Sequence, residues 1–199
     1  MSDARAFSWR AELGRKGVHL ASAAFPLAWA FAVVDRRGIV LALALGLGIA
    51  VVLEVLRRRP GAIGRWFSAW FGWMLRAHER HALTGATWIL GAMLLSALVL
   101  PERAAISALW AGVFGDAAAA LVGRALAARS AAKGKTPVGS IACAVASAVG
   151  PLWLVAAAPL QALGRGAAAM SAERPALALD DNARVALAAG LAAWGLGVA

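Results

Sequence analysis

"GIVLALALGLGIAVVLEVL", residues 38–56, holds one charged residue, Glu54, in nineteen positions. As a helix rising 1.5 Å per residue it reaches about 28 Å, close to the ~30 Å of a bilayer's hydrocarbon core. A surface helix of a soluble domain would carry a polar face, and this run has none. It reads as a membrane span. The chain around it agrees: of 199 residues, 62% are hydrophobic and 15% charged, against about 45–50% and 25% in soluble domains.

Four further runs have spanning length: 17–34, 82–100, 104–123 and 138–160. The last, 185–199, covers only about 22 Å and has to begin earlier, within 176–184. The segment 161–179 is apolar but carries Arg165, Glu173 and Arg174, and reads as a buried span, a re-entrant piece or an interfacial helix. The expected fold class is all-α: one polytopic transmembrane domain over 1–199, with six to seven transmembrane helices. One interfacial helix is expected at 62–76, "AIGRWFSAWFGWMLR", where Trp66, Trp70 and Trp73 share a face and arginines flank it. A short core helix is the alternative there.

The net charge is +10. The basic residues cluster between apolar runs, which speaks against nucleic acid and for cytoplasmic membrane loops. Lys and Arg number four in 1–16, six in 57–80 and four in 124–135; the intervening loops hold Arg36, Arg37 and Arg103. This alternation predicts a multi-pass cell-membrane protein whose N-terminal flank 1–16, segment 57–80 and loop 124–137 are cytoplasmic. A secretory signal over 1–34 is set aside, because alanine is too common for a cleavage pattern to mean anything. The lone Cys143 excludes an internal disulfide and reads as a packing residue.

Charges near a bilayer are costly, so each is a functional candidate. On a helix Glu12, Lys16 and His19 share a face, with Arg15 beside them. Flank charges and a Glu12–Lys16 pair account for part of this pattern, but not for His19 at the membrane entrance. Glu54 lies in the last turn of an apolar helix, opposed to the dipole, and can pair with Arg57 as an interfacial salt bridge or as part of a site. His78 and His81 offer too few ligands for zinc. Asp116, unpaired at its apparent depth, would cost ~2.5–3.5 kcal/mol and should face a polar cavity, a cation or a metal ion.

After Asp116 come Arg124, Arg129, Lys133 and Lys135, then Thr136, Gly139 and Ser140. Gly134-Lys135-Thr136 suggests a Walker A loop, but the first glycine of that pattern would fall on Arg129, so a P-loop is excluded. What remains is a set of cations, glycines that leave backbone N–H groups available, and Ser140 as a candidate N-cap of the next helix: an anion site suited to polyphosphate. A plain cytoplasmic loop is the other reading. Asp180, Asp181 and Asn182 open the last helix with more carboxylate than a cap needs. Such oxygen ligands suit Mg²⁺, completed by substrate phosphates. Together these parts fit phosphoryl transfer.

The order and content of the motifs resemble the polyprenol kinase family: dolichol kinase, phytol kinase and CTP-dependent diacylglycerol kinase. The resemblance runs from Glu12 to Gly190. It is carried by Arg15-Lys16-x-x-His19, by Glu54 with Arg57, by Gly115-Asp116-x-x-Ala119-x-x-x-Gly123-Arg124 with Lys135-Thr136-x-x-Gly139-Ser140, and by Glu173 ahead of Asp180-Asp181-Asn182. It implies a membrane kinase that uses CTP or another NTP, with Mg²⁺, to phosphorylate a lipid alcohol (polyprenol, phytol-like prenol or diacylglycerol). On that reading Asp116, Asp180 and Asp181 hold Mg²⁺ or position the acceptor, with Asp116, His19 and Lys135 catalytic. Arg15, Lys16, Arg124, Lys135, Thr136, Gly139 and Ser140 bind the nucleotide, supported by Glu12, Glu54, Arg57, Glu173 and Asn182. The family has an acid where this chain has Val138 and a proline where it has Ala186. CTP:phosphatidate cytidylyltransferases look similar around the Asp116–Gly139 region, but their His-Gly-Gly is missing here. A non-catalytic membrane transporter or scaffold is the alternative from another class.

Overall fold

The computed structural model describes residues 9–76, 78–127, 135–173 and 179–197. They are helical, with no strand among the described residues. In chain order the helices are α1 (Trp9–Ala21), α2 (Ala24–Ala30), α3 (Arg36–Arg58), α4 (Ala62–Phe71), α5 (Gly85–Val99), α6 (Glu102–Trp110), α7 (Asp116–Ala127), α8 (Pro137–Leu154), α9 (Pro159–Glu173) and α10 (Asp181–Gly195). A π-helical turn, Ala111–Gly115, joins α6 to α7, and a 3₁₀ turn, His78–Arg80, precedes α5.

Three helices are long and apolar enough to cross a membrane: Arg36–Arg58, Glu102–Leu126 and Pro137–Leu154. α5 is apolar but shorter. α3 turns Leu41, Leu45, Ile49 and Val52 outward, an apolar face suited to hydrocarbon rather than water. Arg36 ties the start of α3 to the end of α5, donating to the carbonyls of Ala97, Leu98 and Leu100 at 2.9–3.0 Å. Those carbonyls have no partner within their own helix.

Several boundaries depart from expectation. The run 17–34 is two helices, not one, broken at Ser22–Ala23. Pro26 has no N–H for the Ser22 carbonyl, which accepts the Phe25 N–H instead, at 3.1 Å, while the Ser22 hydroxyl donates to the His19 carbonyl at 2.5 Å. The interfacial helix expected over 62–76 ends at Phe71; Trp66, Trp70 and Trp73 are all exposed. The run 138–160 stops at Leu154, after Pro151. Arg124 sits on α7 rather than in a loop. Arg129, Lys133, Gly134 and Arg174 lie outside the described residues.

Segment 161–179, open between three readings, is mostly the packed helix α9, which buries Ala162, Arg165, Gly166 and Ala169. It lies between α8 and α10 and runs antiparallel to α8, so that Glu173 meets Ser140. This return brings Asp180 and Asp181 to the end of the bundle where Lys135 sits. Arg165 and Glu173 do not pair with each other: eight residues apart on one helix, they are separated by about 12 Å of rise. Arg165, fully buried, donates instead to Ser107 Oγ at 2.8 Å and to the Gln161 carbonyl at 3.0 Å.

The core is built from Leu43, Met93, Leu109 and Val113 together with many alanines. Small residues let the helices approach closely. From the last residue of the π turn into α7, Gly115, Ala119 and Gly123 recur every fourth residue and so share one face. On α8, Gly139, Cys143 and Ser147 do the same. The two stripes meet: a Cβ on Gly139 would come within 2.8 Å of the Ala119 carbonyl and 3.1 Å of Gly123 Cα. Gly139→Ala is therefore expected to cost about 1–3 kcal/mol, checked as a lower thermal midpoint in detergent.

Candidate functional site

One end of the bundle collects the charges. Asp116 opens α7 immediately after the π turn and is 4% exposed; Lys16 on α1, also 4% exposed, is bonded to its Oδ2. His19 Nε2 lies 3.6 Å from the same oxygen and 3.0 Å from the Gly112 carbonyl. Gly112 lies within the π turn, and its carbonyl accepts a hydrogen bond from His19, whose Nε2 therefore carries the proton.

One reading of the sequence pairs Lys16 with Glu12 along the helix. An unpaired buried carboxylate costs several kcal/mol, and Glu12 and Asp116 are both buried; Glu12 has arginines within reach, which leaves Lys16 for Asp116. Asp116 takes the lysine. Glu12, fully buried, is bonded instead by Arg15 and lies 3.3 Å from Arg124. Arg15 also donates to the Met74 carbonyl at 2.7 Å, tying α1 to the segment after α4.

The second half of the site is built by α8, α9 and α10. Lys135 is bonded to the Glu173 carbonyl and lies 3.4 Å from the Glu173 carboxylate and 3.3 Å from Asp181 Oδ2. Ser140 Oγ donates to Glu173 Oε2 at 2.9 Å. Thr136, not Ser140, caps α8: its hydroxyl accepts the Gly139 N–H at 3.1 Å, with Pro137 at the first helical position where proline fits best. The Ser140 amide bonds the Thr136 carbonyl. Two of the N–H groups expected to face an anion are thus used locally. Arg124 and Lys135 reach solvent, with side chains 37% and 36% exposed.

Asp180 caps α10, accepting the Asn182 N–H at 3.0 Å and its Nδ2–H at 2.7 Å. Burial and the adjacent Asp181 push the Asp180 carboxyl above its ordinary range. Two neighbouring carboxylates, Asp181 beside Lys135 and Asp180 without a cation of its own among the ion pairs of the described residues, are a donor set that a hard divalent ion fits. Among the described residues, no three His, Cys, Asp or Glu side chains converge closely enough to hold a metal ion by themselves. Asp116 and the Asp180–Asp181 pair are therefore separate parts of the site, and an ion at either would need substrate oxygens as well.

Beside the charges lies a cavity of about 620 Å³ between α1, α3, α4 and α5. Phe25, Leu53, Trp66, Phe67, Phe71 and Leu90 give it an apolar lining. Lys16, His19, Arg76, Glu79 and Asn182 reach it from the polar side. Its wall is held by Glu54, which is 4% exposed. Glu54 accepts from Arg57 Nε at 2.9 Å, from Arg58 at 3.0 Å and from the Thr84 N–H at 2.8 Å. Arg57 in turn donates to the carbonyls of Glu79 and Ala82 at 2.7 and 2.8 Å.

Two residues of the site escaped the sequence reading. Glu79, 4% exposed, accepts the amides of Arg76 and Gly85 at 2.8 and 3.1 Å. Arg76 lines the cavity. The available signal was Glu79 itself, the one carboxylate among the six cations of 57–80. The sequence matches no protein-family model, and neither the curated proteins nor the solved structures contain a match.

Proposed function

We propose that the chain is a membrane lipid kinase that transfers the terminal phosphate of CTP, or another NTP, to a lipid alcohol. The observation that carries this reading is the buried Lys16–Asp116–His19 cluster, two of whose members line an apolar cavity of about 620 Å³, together with the half-exposed cations Arg124 and Lys135. A lipid chain suits the cavity and a soluble nucleotide suits the exposed cations.

In the reaction the acceptor's oxygen forms a bond to the terminal phosphorus. The bond from that phosphorus to the bridging oxygen breaks, with its electron pair leaving on CDP. The hydroxyl proton passes to a carboxylate, for which the candidate is Asp116, whose partners Lys16 and His19 line the cavity. Lys16 and His19 orient the hydroxyl, while Lys135 and Arg124 neutralise the nucleotide's phosphates. Asp180 and Asp181 are the residues that would hold Mg²⁺, which when bound supplies further charge neutralisation on the phosphates. In the same reading α5, α9, α10 and the broken α1–α2 pair join the three long apolar helices to make six to seven spans, α4 lies in the interface, and the charged end faces the cytoplasm of the cell.

The test is product analysis with purified protein, Mg²⁺, an NTP panel and a lipid-alcohol panel. CDP and a phosphorylated lipid are the expected products. Pyrophosphate with a CDP-lipid would identify a cytidylyltransferase instead. No turnover of any NTP by well-folded protein would leave the transporter or scaffold reading.

A further inference from the structure

We propose that Arg76 is a further substrate-binding residue, whose guanidinium grips the phosphate being transferred; this rests on the kinase reading above.

Five basic side chains line the cavity: Arg15, Lys16, His19, Arg57 and Arg76. Four are already engaged. Arg15 is held by Glu12 and the Met74 carbonyl, Lys16 by Asp116, and His19 by the Gly112 carbonyl. Arg57 is held by Glu54 and two backbone carbonyls. Arg76 differs. Its backbone N–H is anchored on Glu79 at 2.8 Å, which fixes where the side chain starts. Among the described residues, no carboxylate lies within 4.0 Å of its guanidinium.

The surrounding field explains why such a group stays charged. Burial works against the guanidinium's charge, but Asp181, Glu79, Asp116 and Glu12 all act on it from beyond ion-pair distance, and together they hold its proton more firmly than in an ordinary arginine. Arg76 thus senses both halves of the site, the Asp116 cluster and the Asp181 cluster. A phosphate in that position would meet repulsion from both sets of carboxylates. A planar fork of donors on the cavity wall offsets that repulsion and binds two phosphate oxygens at once, which a lysine ammonium cannot do. Stabilising charge on a transferring phosphoryl group is the role in which arginine has its largest effect.

The experiment compares wild type, Arg76→Gln and Arg76→Lys in one detergent or nanodisc preparation. It measures CTP binding by equilibrium dialysis, CTP-to-CDP turnover with a lipid alcohol, and the thermal midpoint. Arg76→Gln is expected to lower kcat by about 100-fold or more, while the KM for the lipid alcohol moves by less than about threefold. The midpoint should stay within about 3 °C. Arg76→Lys should recover part of kcat. If Arg76→Gln matches wild type in binding and turnover, Arg76 has no such role and the kinase reading stands. If both variants lose activity together with the thermal midpoint, Arg76 is structural and the proposal is overturned. If wild type neither binds nor turns over any NTP, the kinase reading fails, and this proposal with it.

Discussion

Asp116→Asn is expected to abolish nucleotide turnover, with a loss of about 10³-fold or more, and to destabilise the protein as well. Both effects follow from where the carboxylate sits. Asp116 is 4% exposed and so is its partner Lys16. Removing one charge of a buried pair leaves the other uncompensated, at a cost of about 3–5 kcal/mol. A loss of activity alone would therefore be ambiguous. The double variant Lys16→Met with Asp116→Leu removes both charges and leaves apolar side chains of similar size, a replacement that buried ion pairs often tolerate. It should restore much of the thermal midpoint and none of the turnover. Measuring midpoint and CDP release on the same samples separates the two roles. Turnover in the double variant within about tenfold of wild type would remove Asp116 from the catalytic assignment.

The helical class and most of the apolar runs are legible in the sequence because hydropathy and spacing are local properties. Residues 38–56 became α3, and 104–123 became most of α6 and α7 with the π turn between them. The Glu54–Arg57 contact could be read for the same reason, since residues three apart on a helix are neighbours. Breaks were harder. Pro26 carries the signal for the break in 17–34, but in a run so apolar the hydropathy hid it. The choice of partners was harder still. Lys16 had two acids to choose from, Glu12 one turn away and Asp116 a hundred residues on, and only the fold decides between them. Likewise α9 had to be seen returning antiparallel to α8 before Asp181 could be placed beside Lys135. The spacing Gly115, Ala119, Gly123 was legible as a motif but not as an interface, because the matching stripe Gly139, Cys143, Ser147 acquires meaning only when α8 lies against it. Arg76 carried no distinguishing local pattern at all. It stands out only once every other cation on the cavity wall has been given its partner.

Glu54→Ala should be the most damaging substitution outside the catalytic cluster, because Glu54 is structural in a way the sequence left undecided. Its carboxylate receives two arginines and the amide of Thr84, the N-cap residue of α5. Arg57 then reaches on to the carbonyls of Glu79 and Ala82. Through these contacts a single acid at the end of α3 fixes the 3₁₀ turn, the start of α5 and the wall against which α4 packs. Truncation leaves Arg57, whose side chain is 5% exposed, without its counter-charge, and leaves the Thr84 amide without its acceptor. The expected loss is about 3–5 kcal/mol, seen as a fall in thermal midpoint of roughly 10 °C. Glu54→Gln keeps the acceptor for Thr84 but not the charge, so it should fall between wild type and Glu54→Ala. Turnover measured well below the new midpoint should show a raised KM for the lipid alcohol, because the cavity wall has shifted, with kcat changed much less. The opposite pattern, a large fall in kcat with an unchanged midpoint, would mean that Glu54 acts on the reacting groups, and the assignment of the cavity wall would have to be redrawn.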